Sequence, residues 1–429
     1  MKAQAATIFD EAFRESIGDS AQPEWLVTLR REAFANFTQK GFPTTRDEEW
    51  KYTDVKAVAS KPFAVGGANS EPSAVRSERF AVTGELIVAF VDGVFRRDLS
   101  VIDGLPDGVT IASFADSLDK EVLKANLSKI VEYDFNAFTA LNTAFTENGV
   151  FIHVTKNVRV DKEIHVIFAS TEERANFPRV LFVGDEGSEA ELVEVFTRTS
   201  EARYLTNTVA EIVLEPNARL KHSRVQRESH KAFHIGVSKA RLSKDSVYDA
   251  TNINLGGKIA RHDANLEFTG EGAEAWVDGL YLVEDGQHTD THSRIDHTVK
   301  NCVSHQNYKG ILDGKSRAVF NGKVFVHKDA SGTDANQSNK NLLLSNDARV
   351  DTKPQLEIYN DDVKCAHGAT VGQLEGEEMF YLLSRGLNED LARNLLTYGF
   401  AEEIINKITV PSIKKELDEA VLNRLHARL

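Results

Sequence analysis

Only two cysteines, Cys302 and Cys365, occur in the 429 residues. They are too few for a disulfide framework or for a four-thiolate site closed within one chain, so any metal bound here needs other ligands or another subunit. No stretch approaches the roughly 18 to 20 continuous apolar residues that cross a bilayer. The first residues, interrupted by Asp10, Glu11 and Glu15, lack the apolar stretch of an export signal. The expectation is a cytoplasmic chain, or one in an equivalent stroma, with no membrane partner. Basic residues are also in deficit, and the formal charge is -14. Nucleic acid is therefore an unsuitable partner, because such binding draws on Lys and Arg releasing condensed counterions.

Catalytic signatures are missing as well. There is no G-x-x-x-x-G-K-[ST] phosphate loop, and Gly256 and Gly257 in "LGGKIA" lack the spacing to cradle a nucleotide. ATPase activity would have to come from a partner. A G-x-S-x-G nucleophile elbow is absent too, and no Ser, His and acid set stands out.

What is present begins with helical spacing. Trp25, Leu26, Leu29, Ala33, Phe34 and Phe37 recur at three- and four-residue intervals until Gly41 and Pro43 stop the pattern. Pro62, Gly66, Gly67, Asn69, Ser70 and Pro72 then give residues 61 to 80 a linker's composition. From about residue 84 to 374 the period switches to two, as in Val150, Ile152 and Val154 and in Ile164, Val166 and Phe168. One helix is expected inside this region, around Tyr133 to Phe145. The chain is thus read as an N-terminal helical region with a linker (1–80), a β core (81–374) and a C-terminal helical region (375–429).

Within the β core, turns of Gly, Asn, Asp or Ser lead to small residues at Ala190, Ala218, Ser246, Ala275, Ala318 and Ala348, separated by 28, 28, 29, 43 and 30 residues. A coil that returns to one lateral position at a fixed step stacks strand on strand and needs small residues where it turns. The pattern is read as mainly β, a β-solenoid of the parallel β-helix kind. A β-sandwich also alternates but has no reason to keep the step. The 43-residue step implies an insertion. After Gly372 helical spacing returns, with Leu383, Leu387, Leu391 and Leu395 on one stripe and Ile413, Leu417, Val421 and Leu425 on another. One stripe can cap the solenoid's end and another can dock a partner, and spacing does not say which does which.

Two groups carry donor chemistry. His288, Asp290, His292, Asp296, His297 and His305 combine imidazoles and carboxylates, and an extended strand puts the first three on one face. The plainer reading is a hydrogen-bonded or solvated face of a rung, and no metal is assigned there. Cys365 and His367 in "DDVKCAHGATVGQL" also share a strand face, where thiolate and imidazole could reach one metal or cluster edge. Two ligands leave a four-coordinate site open, which suits a site shared between subunits. The Asn-, Gln-, Ser- and Thr-rich segment 321 to 365 fits amide side chains stacking between rungs. Two alternatives remain open. Asp361 and Asp362 would fit a carbohydrate-active β-helix enzyme of the secreted type, and the 288 to 305 cluster would fit a stand-alone metal delivery protein.

Three segments then point to a known family. They are "SHQNYKGILDGKSRAVFNGKVFV" (304–326), "NQSNKNLLLSNDARVDTKPQLEIYNDDVKCAHGATVGQL" (336–374) and "MFYLLSRGLNEDLARNLLTYGFAEEI" (379–404). They resemble the SufB and SufD scaffold proteins of the SUF iron-sulfur cluster assembly system. "CAHGATVGQL" and "PTTRDEEWKYTDV" (43–55) are similar to the SufD branch. The resemblance implies a right-handed parallel β-helix flanked by helical ends, acting as a non-catalytic scaffold subunit. It implies as partners a SufB-like subunit and a SufC-like ABC-type ATPase, with a homodimer possible for the chain alone. The iron-sulfur cluster would be transient and shared with the partner subunit. By motif match Cys365 and His367 would bind it, with His367 the metal ligand and Cys365 a supporting thiol. The helices from "FYLLSRG" onward would meet the ATPase.

Overall fold

The computed structural model describes residues 2–18, 22–60, 63–65, 86–374 and 376–426. Most of the linker expected at 61 to 80 lies outside these. At the N-terminal end, the helices Lys2–Gly18 and Glu24–Lys40 pack on the buried helix Ala137–Ala144. The second of these stops where Gly41, at φ 63°, returns its N–H to the Phe37 carbonyl. Phe9, Phe13, Phe37, Phe42, Trp50, Phe138 and Phe145 fill the space between the helices, with edge-to-face pairs such as Phe9–Phe37 at 6.2 Å. The helix expected around Tyr133 to Phe145 is the Ala137–Ala144 helix. It starts at Asn136, whose side chain accepts from the N–H groups of Phe138 and Thr139 while Thr139 caps in return.

From Gly149 onward the chain coils into a β-solenoid of about eight turns. Each turn contributes one strand to each of two sheets, and successive strands within a sheet pair in parallel. Valine, leucine, isoleucine and phenylalanine side chains pointing inward from both sheets form the core, as period two dictates. The first turn is closed off by antiparallel pairing of Val109–Ser113 with Gly149–Val154.

The step that makes the solenoid is set at one corner. Asn157, Gly187, Asn217, Asp245, Gly272, Asn301 and Gly332 all adopt positive φ there, once per turn. Only Gly, Asn and Asp take this conformation cheaply. The residue that follows is small and buried in each case from Ser188 through Ala218, Ser246, Ala273 and Cys302 to Thr333.

This corrects the reading of the 43-residue step. Ala275 pairs with Ser304 one turn on, in register, so nothing is inserted. Ala318 lies on the opposite sheet, paired with Thr289, and the long step is one turn plus a crossing. Cys302 occupies the small corner slot, where burial pushes its thiol up to about 11 and leaves it an unreactive packing residue.

Beyond the solenoid come the helices Gly376–Ser384, Glu389–Ile405 and Pro411–His426. Ala401, Ile404, Ile405, Ile408, Ile413, Leu417 and Val421 seal onto the outer face of the second sheet, against Val193, Val195, Val225, Ile253, Leu280 and Ile311. Lys309 locks this seat by reaching the Phe400 carbonyl at 2.9 Å and Glu403 at 2.6 Å.

Candidate functional site

The strand Val363–Gly372 is the last of the second sheet, and Arg349–Ile358 is the last of the first. Each pairs with a preceding strand on one side only, so both outer edges present backbone groups with no strand beyond them. Cys365 packs with Val324, Val326, Ala330 and Ala335, which come from both sheets, so it points into the solenoid. His367, two residues on, shares that face and is exposed because no further turn covers it. The structure therefore brings the two residues to one face at an open end, with Ile358, Tyr359 and Val371 also exposed there. Burial raises the Cys365 thiol, which favours its protonated form.

Among the described residues, no group of three or more His, Cys, Asp or Glu side chains is arranged to hold a metal ion. Cys365 and His367 are at most half of such a site.

The His-rich segment divides. His288, Asp290 and His292 do share a face, the outer face of the first sheet, on the strand His288–His297. There they clasp the segment around Trp50. Thr53 donates to Asp290 and stands 2.7 Å from His288 Nε2, while His292 Nδ1 lies 3.3 Å from Glu49. Arg261 reaches Asp290 at 2.9 Å and lies 3.9 Å over the Trp50 ring. Burial alone would depress His292, but the Asp290 carboxylate at 3.0 Å overrides it and pushes the ring up to about 9.

The other members scatter. His297 points inward to Ser304 at 2.8 Å, where burial drives it down to about 3, and His305 stacks on Trp276 at 4.5 Å on the second sheet. Asp361 and Asp362 are exposed in the turn before the last strand.

The amide-rich segment forms a network that runs between turns as well as along the strand: Asn339 donates to the Tyr308 carbonyl one turn back at 3.4 Å, and Asn341 donates to the Thr370 carbonyl one turn on at 3.3 Å. Asn341 donates to Asn339 at 2.7 Å, and Thr352 from the opposite sheet donates to the same Asn339 oxygen at 2.9 Å. Buried polar side chains also occur in the middle turns, where His222 lies 2.8 Å from Glu194 and His234 lies 2.5 Å from Glu228. In register one inward column runs Leu192, His222, Ala250, Val277, Gln306, Gln337 and His367, so its last three positions are all polar.

A second open surface lies beside this end. Phe380 is 73% exposed, and Tyr381, Leu383, Leu391 and Leu395 are also exposed. The stripe through Ile413, Leu417 and Val421 is the one that seals, whereas the stripe expected through Leu383, Leu387, Leu391 and Leu395 is broken at Gly386 into two helices, with Leu383 on the first and Leu391 and Leu395 on the second left exposed and Leu387 half-buried between them. Spacing alone could not separate them. Sequence reasoning also missed Glu49, Thr53 and Arg261, whose only signal is that outward positions of a solvated rung rarely carry so many complementary charges.

A family model described as "SUF system FeS cluster assembly, SufBD core domain" matches residues 166–400, and one described as "SufBD protein N-terminal region" matches residues 2–166. The chain is 32% identical over 426 residues to the iron-sulfur cluster assembly SufBD family protein slr0076 of Synechocystis, covering 96% of this chain and 94% of the relative. It is 31% identical over 395 residues to the iron-sulfur cluster assembly protein SufD of Escherichia coli, covering 91% and 90%. A third relative, protein ABCI7, chloroplastic, of Arabidopsis thaliana, is 30% identical over 94% of this chain and 88% of its own length.

Proposed function

Because the chain belongs to the SufBD family of iron-sulfur cluster assembly proteins, we propose that it is a SufD-type scaffold subunit that works by joining partners. Its open solenoid end pairs with a SufB-like chain, and its exposed C-terminal helical stripe receives a SufC-like ABC-type ATPase. Cys365 and His367 face the joint, where an iron-sulfur cluster forms transiently as cargo shared with the partner, with His367 as the metal ligand. The chain has no catalytic residues of its own, and nucleotide turnover belongs to the ATPase. It acts in the cytoplasm or a plastid stroma. Its working division is a helical region to 80, the β core at 81–374 and an ATPase-docking region at 375–429.

The observation that carries this reading is that the strand bearing Cys365 and His367 is the unpaired outer edge of its sheet. A complementary edge would satisfy those backbone groups and give a long-lived heterodimer. Closure of two ATPase subunits on the helices would then strain the joint as a rigid body and open the site.

The test is cluster assembly by the purified complex carrying His367→Ala, read by cluster yield. A drop with the complex intact supports the ligand role, and an unchanged yield removes it. Capture of a SufB-like chain should fail for the Ile358→Asp, Val371→Asp double variant, and retention would sink the edge-pairing part.

A further inference from the structure

In an extended chain the N–H and C=O of one residue point the same way and those of the next residue point the opposite way, so an edge strand offers only alternate residues to a newcomer. The bonds at the strand ends say which. In the first sheet the Arg349 N–H reaches the Ser316 carbonyl at 3.1 Å and the Tyr359 N–H reaches the Val326 carbonyl at 2.9 Å, so the odd-numbered residues of Arg349–Ile358 turn back into the sheet. Val350, Thr352, Pro354, Leu356 and Ile358 face the open edge. In the second sheet the Gly332 N–H reaches the Asp362 carbonyl at 2.8 Å, so there the even-numbered residues turn back. Val363, Cys365, His367, Ala369 and Val371 face out.

The two edges are therefore unequal. Pro354 has no N–H, and its ring fills the place from which that donor would reach a facing strand. It stands in the middle of the first edge. Prolines within sheets are confined to edges and bulges for this reason. The second edge has a donor and an acceptor at every outward position of Val363–Gly372. Those outward backbones belong to the residues whose side chains share the inward face, Cys365 and His367 among them.

We propose that the extended strand of a partner solenoid forms its continuous backbone ladder along Val363–Gly372, and that Pro354 keeps the first edge from carrying a matching one. This deepens the reading of the open end as a joint with a SufB-like chain and rests on it. The partner strand bonds directly to the main chain of Cys365 and His367, while the first edge meets the partner only on either side of Pro354. Joint and thiol–imidazole pair are then one piece of chain, so a partner that shifts along the second edge shifts both side chains with it.

The experiment follows backbone amide exchange in the full chain, alone and with a purified SufB-like chain. In the lone chain the amides of Cys365, His367, Ala369 and Val371 should exchange fast, and those of Lys364, Ala366, Gly368 and Thr370 slowly. The partner should slow the first group at least about 10-fold and slow Thr352 and Leu356, which flank Pro354, far less. Ala369→Pro deletes one outward donor, leaves the inward ladder whole and should weaken capture of the partner about 10-fold, whereas Leu356→Pro should change it by less than about 3-fold. Val371→Pro serves if Ala369→Pro does not fold. Pro354→Val, which restores the donor, should raise protection at Thr352 and Leu356 in the complex. Equal protection on both edges, or equal losses from the two proline variants, overturns the proposal and leaves the joint standing. Failure of the unaltered chain to capture the partner removes the joint itself and the proposal with it.

Discussion

The Thr53 hydroxyl donates to Asp290 Oδ2 at 2.5 Å, joining residues 237 positions apart in sequence. Arg261, His292 and Glu49 complete the contact, so the segment that follows the second N-terminal helix is held on the solenoid by charge as much as by the Trp50 ring.

That contact should depend on pH in a definite direction. His292 is pushed up to about 9, so its contribution is complete below about 6.5 and is lost as pH rises through 9. Burial would raise Asp290, but Arg261 and His292 hold it well below the usual carboxylate range, so its contribution is lost only in strong acid. Between pH 6.5 and 9 the docking should weaken by on the order of 3 kcal/mol. Amide exchange of residues 48–55 measured across that range should accelerate, and His292→Gln should flatten the profile. A flat profile in the unaltered chain would remove the charge contribution.

Arg179 and Glu211 form a fully buried ion pair at 2.5 Å. Arg179 also reaches Asn142 and Thr143 on the Ala137–Ala144 helix, and Glu211 accepts from the Ser128 N–H at 2.9 Å. Glu211→Ala would strand a buried guanidinium and should cost about 3 to 5 kcal/mol. Denaturant melts check this, and a loss below about 1 kcal/mol would mean water reaches the pair.

At the solenoid corner, Gly332 has φ 73°, and a Cβ there would stand 2.4 Å from Asn301 Oδ1. Gly332→Ala should destabilise by roughly 1 to 3 kcal/mol. Asn301→Gly, at φ 58°, should be nearly neutral. Thermal melts of the pair distinguish corner conformation from general crowding, because only the former predicts the asymmetry.

The two C-terminal stripes should respond in opposite ways. Leu417→Ala empties a buried position against the second sheet and should cost about 2 to 5 kcal/mol. Leu391→Ala and Leu395→Ala remove exposed side chains and should leave stability within about 0.5 kcal/mol. ATPase binding, followed by calorimetry, should be weakened by the exposed pair. Equal stability losses at both stripes would show that the exposed one is also structural.

Much of the fold was readable because the solenoid is a local rule repeated. A positive-φ residue, a small residue and an alternating strand recur turn after turn from Gly187–Ser188 to Gly332–Thr333, so composition at Asn217–Ala218 or Asp245–Ser246 already announces the architecture. The same rule misled where two sheets share one residue vocabulary. Ala318 looks like Ala275 in sequence, but the two lie on opposite sheets rather than stacking in one column. Cys365 and His367 were legible as a pair because a strand's period of two puts them on one face whatever lies around it.

Sequence alone therefore determined the coil, its step and the thiol–imidazole pair, because each depends on residues within one turn. Tertiary structure decided the rest. It set which helical stripe is sealed, that Cys365 and His367 sit on the final uncovered turn, and that Thr53 meets Asp290. Those outcomes depend on which surfaces are left over after packing, and that is a property of the whole assembly of turns and helices rather than of any window of residues.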